Sequence, residues 1–593
     1  MTRLNILFLL PVTILLVSSS VPPLLPPTVA LTARSAAPAS APSFGLNSHL
    51  ATRYPDAQSM DIPAETVAEL GVDWVREDFH WYRIQPEPHV WDWTFPDAAM
   101  RALLSRNIQV VGVLGPSVGW ATPYQRDIDH DISFYAPDPD HFVEYARRLV
   151  TRYRRYIKHW EIWNEPDNPL FWRPQPDPLA YADLLIRTSQ AIKEADPEAQ
   201  VLIGGFNPFD TAFIRQVAAR GAWEHFDILA IHPYVDPYSP EEGNITSSLD
   251  AMHAMMYQMG DKPIWATELG WSSGPGDRDA LGKTDEQMQA NFLVRSMLLL
   301  WEAGVERSFW YTLKDDPGNP YGLLAYGEGR ADFDRRMRKP AFYAFRTLNE
   351  QLDGAELVDH RSLFAPTTIE PCNDVTGWLR TNQPNGSLRA GNRGSMLLTY
   401  DFTTAGNDYV VFARKQPIPL TDDAHALGAW IYGNGSDHRL AAWVRDAEGE
   451  LLQFPLGITG EPGWRFIAAP LNITVEPGNR LEGQGNLRVD QPASLVALVV
   501  DDSHDRFIGS GTIYIDEIAV VTGREVYDLR LQRGTMSLDV IWSPPGIRVR
   551  LNTAGLRGRV VYRDGGSADV MAQDGQLALR VMPNEPIYLW HSR

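Results

Sequence analysis

The sequence predicts an α/β fold, a (β/α)8 barrel followed by all-β sandwich modules, and three observations predict it. Eight short β-rich apolar runs alternate with helical stretches between residues 44 and 352. Polar and ionisable residues gather where those runs end. Beyond about Glu356 the texture changes to alternating strands and turns with few helical stretches. Strand-then-helix repetition closes into a barrel whose chemistry sits at the carboxyl ends of the strands, whereas period-2 alternation punctuated by Asn-Gly, Asp-Gly and Gly-Asn reads as β-sandwich.

The chain starts Met-Thr-Arg, then runs apolar from Leu4 to Val17 before Ser18, Ser19 and Ser20. A positive start and a short apolar stretch make a secretory signal, shorter than the ~20 apolar residues a membrane span needs; retention as an uncleaved anchor is the alternative. Six prolines between Pro22 and Pro42, among Ala and Ser, make an extended tether. Residues 1–43 are therefore leader and tether, and the expectation is export, secreted or held at the cell surface. The single cysteine, Cys372, forms no intrachain disulfide, so stability must come from core size.

The barrel runs are Phe44–Asn47, Val72–Glu77, Gln109–Leu114, His159–Trp163, Val201–Gly204, Ile228–His232, Ile264–Thr267 and Arg307–Tyr311. Between them, Phe142, Ala146, Leu149, Val150, Tyr153 and Ile157 recur at helical spacing over 141–157, and Pro63 and Gly71 start and stop an earlier helix. Residues 353–370 and 523–593 are expected to form a small β-sandwich packed on the barrel, because the last block alone is short for a free-standing domain. The stretch 371–522 would be a module inserted into it.

Composition excludes some partners. With 53 Lys+Arg against 74 Asp+Glu the net charge is −21, and no basic run is hidden in it, so nucleic acid and anionic membrane surfaces are not expected partners. The 19 Trp, 22 Tyr and 22 Phe are more suggestive. Flat apolar faces beside polar groups suit sugar rings, although most aromatics serve the core.

Two carboxylates carry the chemistry. Glu165 ends the fourth run in His159-Trp-Glu-Ile-Trp-Asn-Glu-Pro166, beside Asn164, and Glu268 ends the seventh in Pro263-Ile-Trp-Ala-Thr-Glu-Leu-Gly-Trp271. Strands four and seven face each other across a barrel, so the two side chains can converge over its mouth. Glycosidic cleavage needs such a pair, a protonated acid for the leaving oxygen and a carboxylate on the other face of the sugar. No cofactor or metal is needed for that reaction. Arg76 reads as an ion-pair partner of one carboxylate or as a sugar ligand, and His80 as a structural histidine or a ligand. Trp120, Trp172 and Trp271 read as stacking platforms or loop packing, and Asp315 and Asp316 as solvated charges.

These strings resemble clan A of the glycoside hydrolases, and within it glycoside hydrolase family 39. The resemblance covers about Phe44 to Leu352 and includes Leu70-Gly-Val-Asp-Trp-Val-Arg76, Trp81-Tyr-Arg-Ile-Gln-Pro86, Trp91-Asp-Trp93, Ala230-Ile-His-Pro-Tyr234 and Phe309-Trp-Tyr311. It implies a retaining mechanism with Glu165 as acid/base and Glu268 as nucleophile. Asn164 would bond the sugar 2-hydroxyl, His232 and Tyr234 would orient the nucleophile, and Trp310 would floor the ring. Where many members carry a polar residue after strand three, this chain reads Val113-Leu-Gly-Pro-Ser117, with Trp120 or His80 available to substitute.

The inserted module resembles a galactose-binding-like jelly roll through Leu427–Asn434 and Thr512–Ile518. Such modules bind glycans and hold a structural calcium in many cases; a spacer role is equally compatible. The expected partner is an oligo- or polysaccharide, and the expected activity is retaining hydrolysis of a β-linked glycan. The alternatives are transglycosylation and a non-catalytic glycan-binding protein on a retired barrel.

Overall fold

A computed structural model describes residues 42–124, 131–276, 279, 282, 284–360, 365–380, 385–391, 394–404, 406–502, 509–522 and 525–592. The leader and all of the tether but Pro42 and Ser43 lie outside the described residues. Among the described residues no helix is long and apolar enough to cross a membrane.

Eight parallel strands form the barrel: β1 (Phe44–Asn47), β2 (Trp74–Phe79), β3 (Gln109–Leu114), β4 (His159–Ile162), β5 (Gln200–Ile203), β6 (Leu229–Ile231), β7 (Ile264–Leu269) and β8 (Arg307–Trp310). Their order is β5-β4-β3-β2-β1-β8-β7-β6, and bridges from Leu202 to Ile228 and from Phe206 to Ile231 close the ring. Helices cover the outside for sequence-readable reasons. The helix Pro139–Tyr153 starts with proline in its first turn and with Asp138 accepting the backbone N–H of Asp140 and His141. Phe142, Tyr145, Ala146, Leu149, Val150 and Tyr153 are its buried face. It ends at Tyr153, earlier than the spacing predicts, and the buried Ile157 lies in the following turn.

At the amino end of the strands the barrel is plugged by aromatics. The Arg307 guanidinium lies 4.5 Å from the ring centroids of both Trp74 and Trp265, and His159 stacks on Trp265 at 5.1 Å.

The sandwiches follow the nested order with one correction. Glu356–His360 pairs with Tyr527–Arg533 in a six-stranded antiparallel sheet that also holds Met536–Trp542 and Ile587–Ser592. Leu529, Leu531, Leu538, Val540, Trp542 and Tyr588 from that sheet share the barrel's core, and hydrogen bonds from Trp542 to Glu241 and from Trp590 to Gln351 fix the contact. Ala365–Glu370, however, pairs with Gly509–Thr522 and so belongs to the inserted module, not to the small sandwich. The long strand Gly509–Thr522 offers it an open edge over five registered positions, which period-2 patterning alone could not locate. The inserted module has two antiparallel sheets and its own core. It docks on the barrel through Asp437, which accepts from Arg215 Nε at 2.9 Å and from the Thr211 hydroxyl.

Candidate active site

The mouth of the barrel is built from alternation on β2 and β4, a bulge on β7 and a close backbone approach after β5. On β2 the inward side chains are Arg76 and Asp78; on β4 they include Glu161. Past Ile162 the chain turns through Trp163 and Glu165, both at positive φ (72° and 45°), and this turn carries Asn164 and Glu165 over the mouth. Such backbone is uncommon for residues other than glycine and recurs at functional sites.

On β7 strict alternation would aim Thr267 and Glu268 to opposite faces. The register of β7 against β8 shifts between Ala266 and Leu269. A bulge of this kind re-aims a side chain, and here Thr267 and Glu268 both reach the site. Gly205 makes room for the sixth element: a Cβ there would meet His232 Nε2 at 2.0 Å. Its N–H bonds Glu161 at 2.9 Å, and its carbonyl accepts from the Glu165 N–H at 2.9 Å.

Arg76 organises the center. Nε and Nη2 grip the two oxygens of Glu161 at 2.8 and 3.0 Å. Nη1 reaches Glu268 Oε1 at 2.5 Å and Asn47 Oδ1 at 2.9 Å, and Nη2 also reaches Asn164 Oδ1 at 2.7 Å. All five guanidinium N–H groups are thereby engaged. Burial opposes the charge, but Glu161 and Glu268 outweigh it and raise the guanidinium pKa further. Arg76 has no donor left for a ligand, so of its two sequence readings the structure places it as the ion-pair partner.

Glu268 also accepts from Tyr234 Oη at 3.0 Å, while Glu165 meets His232 Nδ1 at 2.9 Å and Asn168 Nδ2 at 2.7 Å. His232 Nε2 lies 3.1 Å from Thr267 Oγ1. Glu165, His232 and Glu268 each bring one donor atom to within 4.8 Å of the others. Burial disfavours an imidazolium at His232, yet the charge of Glu268 and the hydrogen bond and charge of Glu165 raise its pKa above the usual histidine value. Burial and the nearby Glu165 charge push Asp167 up to about 6.

A cavity of about 490 Å³ opens over the carboxylates. One wall holds His49, Asp78 and His80, another Phe134, Trp163, Leu170 and Phe171, and a third Tyr311, Asn319 and Tyr321. Asp78 meets His49 Nδ1 at 2.6 Å and His80 Nε2 at 3.5 Å. Burial alone would raise its pKa, but these two partners hold it well below the usual carboxylate range. Val113, Gly115 and Pro116 line the wall after β3 without a polar side chain.

The structure thus brings together Arg76, His80, Asn164, Glu165, His232, Tyr234 and Glu268. It does not bring the tryptophans. Trp172, Trp271 and Trp310 are 2%, 0% and 0% exposed and do not line the cavity, which corrects their reading as platforms. Trp172 packs edge-on against Trp163 and Tyr181, and Trp271 stacks on Trp310 at 6.1 Å. Tyr311, one residue beyond Trp310, faces the cavity in its place. Trp120 is half-buried outside the lining, its Nε1 on the Gln85 carbonyl at 3.0 Å and its ring edge-on to Trp81. Asp315 and Asp316 are not solvated charges: they pair with Lys339 and Arg53, each at 2.8 Å. Sequence reasoning missed Glu161, Thr267, His49 and Asp78. Inward parity on β2 and β4 was an available signal for Asp78 and Glu161, since each lies two residues from an inward position.

Residues 155–330 match the family described as glycosyl hydrolase catalytic core. The matched stretch holds Asn164, Glu165, His232, Tyr234 and Glu268, so the barrel carries the catalytic core of a glycosidase. No curated protein matches the chain. Similar solved structures include a family 39 glycoside hydrolase from the gut symbiont Bacteroides cellulosilyticus WH2 (15% identity, 93% of this chain and 81% of that chain, TM-score 0.49). A monomeric beta-xylosidase from Caulobacter crescentus CB15 (15%, 78% and 98%, 0.44) and a glucosidase from Croceicoccus marinus (11%, 93% and 95%, 0.45) are also similar.

Proposed function

We propose that the protein is an exported, retaining glycoside hydrolase of a β-linked glycan, with Glu165 as acid/base and Glu268 as nucleophile. One observation carries the reading: two carboxylates from opposite sides of the barrel hold oxygens within 4.8 Å of each other over one cavity. Retaining enzymes space the pair at about 5–5.5 Å and inverting ones at about 6.5–9.5 Å, to admit a water. The surroundings support the division of roles. Glu268 receives donors from the Arg76 guanidinium and Tyr234, whereas Glu165 meets His232 and the neutral Asn168 amide beside the cavity.

In the first step Glu165 gives its proton to the glycosidic oxygen as Glu268 attacks the anomeric carbon, forming a glycosyl ester and releasing the alcohol. The ester removes the charge of Glu268, and ionised Glu165 then takes a proton from the attacking water. Sugar acceptors could take the place of that water, and product analysis with added acceptors tests for transglycosylation. A retired barrel would not need both carboxylates and their buried supports intact.

The test is a screen of the purified protein against aryl β-glycosides and polysaccharides beside Glu268→Ala. Activity present in the native protein and lost in the variant supports the reading; full activity in Glu268→Ala overturns it.

A further inference from the structure

The two carboxylates of the site do not stand apart. From Glu268 Oε1 the contacts run to Arg76 (2.5 Å), from Arg76 to both oxygens of Glu161 (2.8 and 3.0 Å) and from Glu161 Oε1 to Thr267 Oγ1 (3.4 Å). From Thr267 they run to His232 Nε2 (3.1 Å), and from His232 Nδ1 to Glu165 (2.9 Å). We propose that Glu161, which touches neither the reacting atoms nor the cavity, is a positioning residue that ties acid/base and nucleophile into one buried network. This rests on the reading of Glu165 and Glu268 given above.

Donor counting gives the network a direction. Glu161 is fully buried and meets only donors: Arg76 twice, the Gly205 N–H at 2.9 Å and the Thr267 hydroxyl. An ionised carboxylate accepts and cannot donate, so the 3.4 Å contact is a hydrogen bond only with the Thr267 proton pointing at Glu161. The Thr267 oxygen then offers His232 only lone pairs, which places a proton on His232 Nε2. When Glu165 carries the proton, its share of the charge that raises His232 is gone, and the imidazole, with its proton on Nε2, accepts from the Glu165 carboxylic acid at Nδ1 (2.9 Å). On the other arm, Glu161 shares the single charge of Arg76 with Glu268. Without that sharing the full charge would fall on the nucleophile and hold it too firmly as an unreactive anion.

The groups facing the two carboxylates bound what a pH profile reports. Arg76, Tyr234, His232 and Glu165 surround Glu268, with His49 and Asp78 on the adjacent wall; His232, Asn168, Glu268 and Asp167 surround Glu165.

The experiment compares pH profiles of kcat/KM for the native protein, Glu161→Gln and Thr267→Val on one aryl glycoside. Glu161→Gln is expected to move the acid limb down by about one pH unit, because Arg76 then acts on Glu268 alone. Thr267→Val is expected to lower the alkaline limb and leave the acid limb in place. His232 then turns to its Nδ1–H tautomer and stabilises ionised Glu165. A uniform fall in kcat/KM with both limbs unmoved is the signature of a merely structural role and overturns the proposal.

A second measurement needs neither variant: the imidazole 15N shifts of His232 in the native protein, assigned by their loss in His232→Gln. An Nε2–H tautomer supports the network; an Nδ1–H tautomer or a doubly protonated ring overturns it. If the native protein cleaves no glycoside, the hydrolase reading falls, and the tautomer still decides the network.

Discussion

The two ends of the barrel each hold an arginine and a histidine, buried at the carboxyl end and half-buried at the amino end, and treat them oppositely. At the carboxyl end Arg76 has every N–H bonded and two carboxylates against it, and His232 is raised above its usual pKa. At the amino end Arg307 lies between two tryptophan rings with no carboxylate grip, and burial lowers its pKa. Burial, followed by the Arg307 charge, pushes His159 down to about 4. The same residue types are thus held among carboxylates at one end and packed among aromatic rings at the other, and partners rather than identity set their pKa.

The comparison breaks first at the carboxylates. Glu268→Ala is expected to lower kcat by at least roughly 10⁴-fold, since on the proposed reading Glu268 forms the covalent intermediate. Hydrolysis of a good aryl glycoside reads this directly. Glu165→Ala should cost about 10²–10⁴-fold on substrates with poor leaving groups. It should spare the first step on very good ones, with azide restoring turnover as a glycosyl azide of retained configuration.

The next test sets the arginines side by side. Arg76→Met leaves Glu161 and Glu268 buried without a counter-charge and should destabilise the protein by about 3–5 kcal/mol in urea unfolding. For Arg307→Met the loss of cation–π contact and the relief of a half-buried guanidinium oppose each other, giving about 1 kcal/mol or less. Equal losses would show that the two ends are not different in kind.

His159 supplies the pH dependence. Its folded pKa of about 4 lies below the unfolded ~6.5, so the unfolded chain binds the extra proton. The stability from keeping it neutral is present above pH ~6.5 and is lost as pH falls toward 4, to at most about 3 kcal/mol. His159→Phe should flatten that part of the unfolding profile.

Much of the candidate site was legible in sequence because polar groups at a barrel's mouth come from where its strands end. Glu165 and Glu268 stand where the fourth and seventh runs end, and His232 and Tyr234 follow β6 for the same reason. The tryptophans were not legible. Trp172, Trp271 and Trp310 follow or end strands just as a platform would, but a large ring there either faces the cavity or wedges between loop and helix. Only packing decides, and here it buries all three and presents Tyr311. Glu161 was legible only as an inward position on β4, since a charged residue within a strand gains a role only once its partner on β2 is known.

By itself the sequence determined the barrel and the all-β texture that follows it, and it marked the carboxylates that end the fourth and seventh runs, because periodicity and residue chemistry are local. Tertiary structure decided that Glu268 faces the mouth, through a bulge in β7 against β8. It also decided that Ala365–Glu370 joins the inserted module, and that one guanidinium is shared by two carboxylates. Register, edge pairing and ion pairing join residues far apart in the chain, and no local pattern encodes which partner each will meet.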